Sequence, residues 1–278
     1  MSVLMFTLLV WVGAVLAGFL GALTGLGGGV VIVPLLALVF GVDLRYAIGA
    51  SLVSVIGTSS GAAAAYVREG YTNIRVGMFL EIATTLGALC GAFLTAAVPV
   101  EGIAVVFGIV LLLSAFLSSW PRPEDNITDT PDALAAHLRL DGSYPTPQGL
   151  RGYHVHHVPL GFGLMFVAGI LSGLLGIGSG AFKVLAMDQA MRIPFKVSTT
   201  TSNFMIGVTA AASAGVYLRR GYIDPGVAMP VMLGVLLGSL LGTRVLVVAQ
   251  TQILRIIFGL VILALAIEMI YKGLTGGL

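Results

Sequence analysis

Charge and sulfur are what this chain has least of. Only 9% of its 278 residues are Asp, Glu, Lys or Arg, against roughly a quarter in an ordinary soluble domain. With 58% hydrophobic residues and a mean hydropathy of +1.04, a water-soluble globule is excluded and the membrane class is indicated. The lone cysteine, Cys90, excludes an intrachain disulfide and any cysteine-built metal centre. Lying between Leu89 and Gly91 in an apolar run, it reads as a small packing residue. The net charge of +2 comes from a few charges at helix ends, which suits anionic headgroups and gives no sign of nucleic-acid binding. Strand-type alternation is missing as well. Only helices or closed barrels satisfy every backbone N–H and C=O inside lipid, so the expected architecture is all-α.

What the chain has in abundance is apolar runs and glycine. Eight runs, at about 3–23, 46–67, 76–98, 102–120, 159–177, 197–218, 226–249 and 253–271, approach or reach the roughly 20 residues that a helix needs to cross a bilayer core. Two shorter pieces, 30–41 and 181–191, read as half-helices. The first run has no basic residue before it and exceeds the apolar core of a signal peptide, so it is read as a retained span.

The chain also repeats itself. A shift of 151 positions lays Gly25-Leu26-Gly27-Gly28-Gly29 on Gly176-Ile177-Gly178-Ser179-Gly180 and Tyr66-Val67-Arg68-Glu69-Gly70-Tyr71 on Tyr217-Leu218-Arg219-Arg220-Gly221-Tyr222, without a gap. Gly87, Gly91 and Gly108 fall on Gly238, Gly242 and Gly259. About a quarter of the aligned positions are identical. Three regions follow: a first transmembrane repeat at 1–120, a connector at 121–158 and a second repeat at 159–278. The connector holds all four histidines, five of the eleven prolines and eight of the 26 formal charges, the composition of a solvated loop. One short amphipathic helix is expected at 131–138.

If the short pieces cross, each half has five segments and the halves are inverted; if they re-enter, each has four and the halves run parallel. Inversion is the preferred reading. Under either one the side richer in Lys and Arg holds the connector, which is therefore predicted cytoplasmic. The fold class is thus an all-α polytopic membrane protein of two homologous repeats, inverted, each with a glycine-broken helix and a short half-helix.

Two homologous halves in so apolar a chain point to a carrier with its site between them. Clustered glycine at membrane depth should break a helix. A half-helix restarting at about Val30 or Ala181 would aim its first N–H groups at the break, where an anion could sit. Gly25, Gly27, Gly28, Gly29, Gly176, Gly178, Ser179 and Gly180 are the candidate lining residues. Close packing through small residues is the bland reading of the same glycines. Ser51, Ser202 and Asn203 add neutral donors for an oxyanion, with Thr58 and Thr209 two turns further along the same faces; interhelical hydrogen bonding is their ordinary alternative.

Few charges interrupt the apolar runs. Lys183 is the strongest candidate, three residues past Gly180 and facing the place where an anion would bind. Glu81 and Arg244 occupy matching segments of the two halves and are candidates for coupling; they pair across the repeat interface, carry a proton, or snorkel outward. Asp188 with Arg192, and Glu268 with Lys272, have the spacing of simple intrahelical pairs. Arg68 and Arg219 read as interfacial anchors. His154-Val155-His156-His157 has no carboxylate or thiol at a useful spacing, so a polar anchor is preferred to a metal site. No metal or cofactor is expected.

These residues together give a resemblance. Gly18 to Gly29 with Pro34, Ala47 to Leu52, Tyr66 to Gly70, and their copies around Gly176–Gly180 and Thr200–Gly221, resemble the TauE/SafE family of sulfite exporters over nearly everything outside the connector. The resemblance implies a secondary transporter that moves sulfite, an organosulfonate or a related small anion across the cytoplasmic membrane without ATP, and the chain has no Gly-x-x-x-x-Gly-Lys-Ser/Thr phosphate loop. Leu185 in place of Pro34, and Lys183 in an otherwise apolar place, depart from the first half's pattern. The expected partners are a small anionic substrate and the lipid bilayer, with no nucleic acid and with a homo-oligomer left open. An anion channel and a carrier for small carboxylates are the alternatives. A membrane-embedded enzyme lacks a base: no histidine lies in any span, and neither Asp-x-x-Asp nor His-Glu-x-x-His occurs.

Overall fold

The structure, a computed structural model, describes residues 2–24, 28–68, 70–119, 132–146, 149–246 and 251–277. They are mostly helical. The first half runs α1 (Val3–Thr24), α2 (Gly29–Pro34) continuing into a π-helical segment (Leu35–Val39), α3 (Leu44–Arg68), α4 (Ile74–Leu94) and α5 (Val100–Ser119). The second runs α7 (Val158–Leu175), α8 (Gly180–Leu185) with its own π segment (Ala186–Ala190), α9 (Phe195–Arg219), α10 (Pro225–Leu246) and α11 (Thr251–Thr275). From α2 to α5 every helix, and the π segment, begins 151 residues before its counterpart.

Local chemistry sets these boundaries. Asn73 caps α4, its side chain accepting from Val76 N–H. At the matching place Asp224 accepts from Gly226 N–H and Pro225 occupies the first helical position, where a missing N–H costs nothing. Val3–Leu20, Ile74–Leu94, Val158–Leu175 and Pro225–Gly242 are long and apolar enough to cross a membrane. Their outward faces leave Leu16, Ile82, Leu86, Phe93, Leu164 and Leu240 exposed, a belt of apolar surface that water would penalise and lipid would not. Cys90 lies on this belt: it is exposed, so the packing role read from its neighbours is not the one it has.

Helices pair mainly across the halves. α1 packs on α10, α4 on α7, α3 on α9, and α5 on α11. Duplicated glycines make this possible. A Cβ on Gly87 or Gly91 would collide with the carbonyls of Phe166 and Ile170, and one on Gly169 or Gly173 with those of Thr84 and Ala88. Gly18 and Gly238 hold α1 against α10 in the same way, at Val235 and Val15. Within each of these two pairs the helices run parallel, because Gly234 meets Trp11 and Val15 while Gly238 meets Val15 and Phe19. α5 and α11 are antiparallel: Gly108 lies against Ala266 and Ile270, and Gly273 against Glu101 and Val105.

The connector is more ordered than its composition indicates. Besides the short helix α6 (Ala133–His137) it forms an antiparallel hairpin, β1 (Gly142–Thr146) and β2 (Gly149–Tyr153), which corrects the wholly helical expectation. Two five-residue strands carrying Gly142, Pro145, Gly149 and Gly152 show no alternation for a sequence reading to find. Ala135, Leu140, Tyr153 and Val155 pack with Val76 and Leu80 of α4, Met165 of α7, Met187 and Met191, and Val197 of α9. The connector therefore covers one end of the bundle.

Candidate functional site

The two glycine breaks meet inside the bundle. After α7 the chain turns through Gly176, Gly178 and Ser179, at φ of +69°, +71° and +48°, left-handed conformations that cost little at glycine and about 1–2 kcal/mol at serine. Ser51 of α3 donates to the Gly176 carbonyl at 2.7 Å, tying the first half to the second half's break. On its other side, a Cβ at Gly29 would stand 2.8 Å from Ser51 Oγ and 3.2 Å from that same carbonyl. Gly29 thus adjoins Gly176, while Gly28 lies against Val235 of α10 and Gly178 and Gly180 lie against Ile206 of α9. Gly25 and Gly27 lie outside the described residues.

The hydroxyls of Ser51 and Ser202 each donate to a backbone carbonyl. Ser202 donates to Gly180 O at 3.3 Å, so the two serines tie α3 and α9 to the backbone on either side of the second half's break. Asn203, beside Ser202, is half-buried. Two hydroxyls of the same stretch, Ser172 and Ser179, are buried with no partner among the described residues. Tyr217 braces the same turn from α9, donating to Gly173 O at 3.0 Å and pairing with Thr95 at 2.8 Å.

Lys183 is completely buried. Its ammonium donates to Thr209 Oγ1 at 2.6 Å, and Thr209 donates in turn to Glu81 Oε1 at 2.7 Å, with Met205 O as a second acceptor at 3.0 Å. Thr85 also donates to Glu81 Oε1, at 3.1 Å. A cation and a carboxylate from different halves are thus joined through one hydroxyl. The geometry is economical: two buried charges of opposite sign, each expensive alone, are held close enough to offset each other. Two capacities remain unused. Glu81 Oε2 is buried without a partner among the described residues, and the ammonium has three N–H donors, of which Thr209 takes one.

Sequence spacing singled out Lys183 and Glu81 but did not join them. Arg244, the partner considered for Glu81, lies on α10, which packs on α1 and α3, whereas α4 packs on α7 and α9; the Arg244 side chain itself is outside the described residues. Of the duplicated arginine turn, Arg220 rather than Arg219 makes the helix-end contact, donating to Ala92 O at 2.9 Å and stacking over Phe93. In the connector, His154 Nδ1 pairs with Asp141 Oδ2 at 3.0 Å. Among the described residues no group of three His, Cys, Asp or Glu is placed to hold a metal.

A polar cavity of about 290 Å³ lies where the connector meets the α3–α4 turn, lined by Tyr71, Thr72, Asn73, Arg75, Asp141 and Tyr153 among others. Asn73 is its hub: its N–H donates to Thr201 at 3.0 Å and its amide to Leu140 O at 2.9 Å and Tyr153 Oη at 2.7 Å. Burial pushes the Tyr153 phenol up to about 12, with Asn73 opposing the shift and the Asp141 charge adding to it.

Lipid-facing helices with a glycine-rich interruption, followed by a buried lysine joined through one hydroxyl to a carboxylate of the other half, have the pattern expected of a membrane transport protein. The comparisons agree with this class and refine it. The family model for the sulfite exporter TauE/SafE matches residues 10–269. Similar proteins include the probable membrane transporter protein YunE of Bacillus subtilis, 28% identical over 97% of this chain and 98% of its own length. Another is a probable membrane transporter protein of Xylella fastidiosa, 27% identical over 92% of both chains. YdhB of Bacillus subtilis, also named a probable membrane transporter, is 26% identical over 83% of this chain and 84% of its own. No solved structure matches. The chain belongs to the TauE/SafE sulfite exporter family.

Proposed function

We propose that this protein is a secondary transporter of the cell inner membrane that moves a small sulfur oxyanion or sulfonate by alternating access between two inverted halves. The substrate sits where the two breaks adjoin, contacted by Lys183, Ser179 and the backbone at Gly28, Gly29, Gly176, Gly178 and Gly180. Ser51 and Ser202 hold the breaks open rather than bind the anion, and Asn203 stands beside them. The observation that carries this reading is Lys183: a fully buried cation beside interrupted backbone, with donors to spare, is an anion's counterpart waiting in a low-dielectric place.

Helix direction supports inversion. Halves related by an axis along the membrane normal would keep equivalent helices parallel, yet α5 and its equivalent α11 run antiparallel. α4 and α9 run parallel, joined by Asn73 and Thr201 at one end and by Ala92 and Arg220 at the other. Five segments per half produce this arrangement; four do not. The connector then lies at the cytoplasmic end.

The test is uptake of ³⁵S-sulfite into proteoliposomes, competed by ethanesulfonate, sulfate, thiosulfate and acetate. Saturable uptake stimulated by internal substrate and lost in Lys183→Ala, with that variant still monodisperse, is the expected result. Unaltered uptake in Lys183→Ala removes this site, and a large unitary conductance in planar bilayers replaces the carrier with a channel.

A further inference from the structure

Resting on the transport reading above, we propose that Glu81 takes up one proton for every monovalent anion bound at Lys183, so that the carrier has no net charge at its centre whether empty or loaded. Charge balance at the centre requires it. Empty, the Lys183–Thr209–Glu81 chain holds one positive and one negative group joined by hydrogen bonds of 2.6 and 2.7 Å, a net charge of zero. An arriving monoanion engages the ammonium N–H groups and consumes its countercharge. The carboxylate is then left as an uncompensated buried anion, and burying an unpaired charge is strongly unfavourable. One proton on Glu81 Oε2, the oxygen that has no partner, restores zero. The balance is one anion and one proton entering from one side and the same two leaving on the other, with lysine cationic throughout.

No other charged group described on the packed elements takes over this role. α7 brings no ionisable side chain to Glu81. On α9, Lys196 lies over the Tyr71 ring at one end, and Tyr217 is bound to Thr95 and Gly173 near the other, with Arg219 exposed beyond it. Asp188 sits further along the π segment after Lys183, and Arg75 is exposed at the start of α4.

Neutralising the acid separates two kinds of flux. In Glu81→Gln the loaded centre is still neutral but the empty one carries +1. One-for-one exchange of labelled for unlabelled ethanesulfonate, which uses only loaded carriers, should stay within about threefold of wild type, whereas net uptake, which needs the empty carrier to return, should fall about 100-fold. In wild-type proteoliposomes with the potential clamped by K⁺ and valinomycin, a lumenal pH dye should report about one proton per ethanesulfonate, and an inward proton gradient should drive accumulation. Accumulation without proton entry, or full gradient-driven accumulation in Glu81→Gln, overturns the proposal and leaves the carrier reading standing. Absence of both uptake and exchange for sulfite and ethanesulfonate overturns the carrier reading, and this proposal with it. The wild-type stoichiometry needs no variant, so a Gln substitution that misfolds does not rescue the idea.

Discussion

The two halves build the same scaffold and furnish it differently. Shifted by 151 residues, Lys183, Thr209, Glu81 and Thr85 fall on or come from Ile32, Thr58, Met232 and Leu236. One of these equivalent places holds an ion pair on a hydroxyl bridge. In the other Ile32 is fully buried, and Thr58 turns back onto Ser54 O and Val55 O of its own helix. The caps diverge likewise: Asn73 binds α9 and the connector besides α4, whereas its counterpart Asp224 caps α10. Duplication accounts for the fold, and the departures from it mark the chemistry.

Erasing the difference is the strongest test. Lys183→Ile makes the charged place resemble the apolar one; transport should be abolished, and the fold should separately lose roughly 3 kcal/mol or more of stability because the carboxylate is left buried without its partner. Adding Glu81→Met completes the conversion. The double variant should regain most of that stability in a thermal unfolding assay and stay inactive, because a buried pair is often replaceable by apolar residues. A double variant less stable than Lys183→Ile would show that the pair is not a unit.

Where the halves are alike, the response should be alike. Gly87→Val and Gly238→Val, at equivalent points of the α4–α7 and α1–α10 contacts, should each destabilise by about 2–3 kcal/mol through overpacking. Gly163→Ala, where open space surrounds the site, should be neutral or stabilising by up to about 1 kcal/mol. The caps come next. Asn73→Ala should cost about 2 kcal/mol and Asp224→Ala about 1, since the first loses side-chain bonds to Leu140 O and Tyr153 Oη as well as a cap.

The smallest effect is invisible at neutral pH. Because the folded Tyr153 phenol sits at about 12, above its unfolded value near 10, the folded state keeps a proton that the unfolded chain gives up. Stability from this group is therefore lost as pH climbs from about 10 toward 12. Tyr153→Phe should flatten that limb of a denaturation profile, while below pH 9 or so it should only lower the profile by a constant amount, the lost bond from Asn73.

Much of the architecture was legible in the chain because its rules are local. Apolar runs located the long helices to within a few residues, and glycine density marked the interruption between α7 and α8. What stayed hidden depends on contacts between distant residues. Nothing in the sequence says that Thr209 lies between Lys183 and a carboxylate 128 positions away, or that Ser51 spends its hydrogen on a carbonyl 125 positions away. The hairpin was obscured for another reason, since short strands containing Gly and Pro draw their support from the helices beneath them. Cys90 misled because a small residue between apolar neighbours fits a lipid-facing place as well as a helix contact.

The trading of helices between halves has a mechanical consequence. α1 is fastened along its length to α10, and α4 to α7, so a gene cut at the connector would yield two fragments whose glycine-lined faces are each missing a mate. For the same reason, the two repeats are joined along four separate helix pairs and share no single flat border.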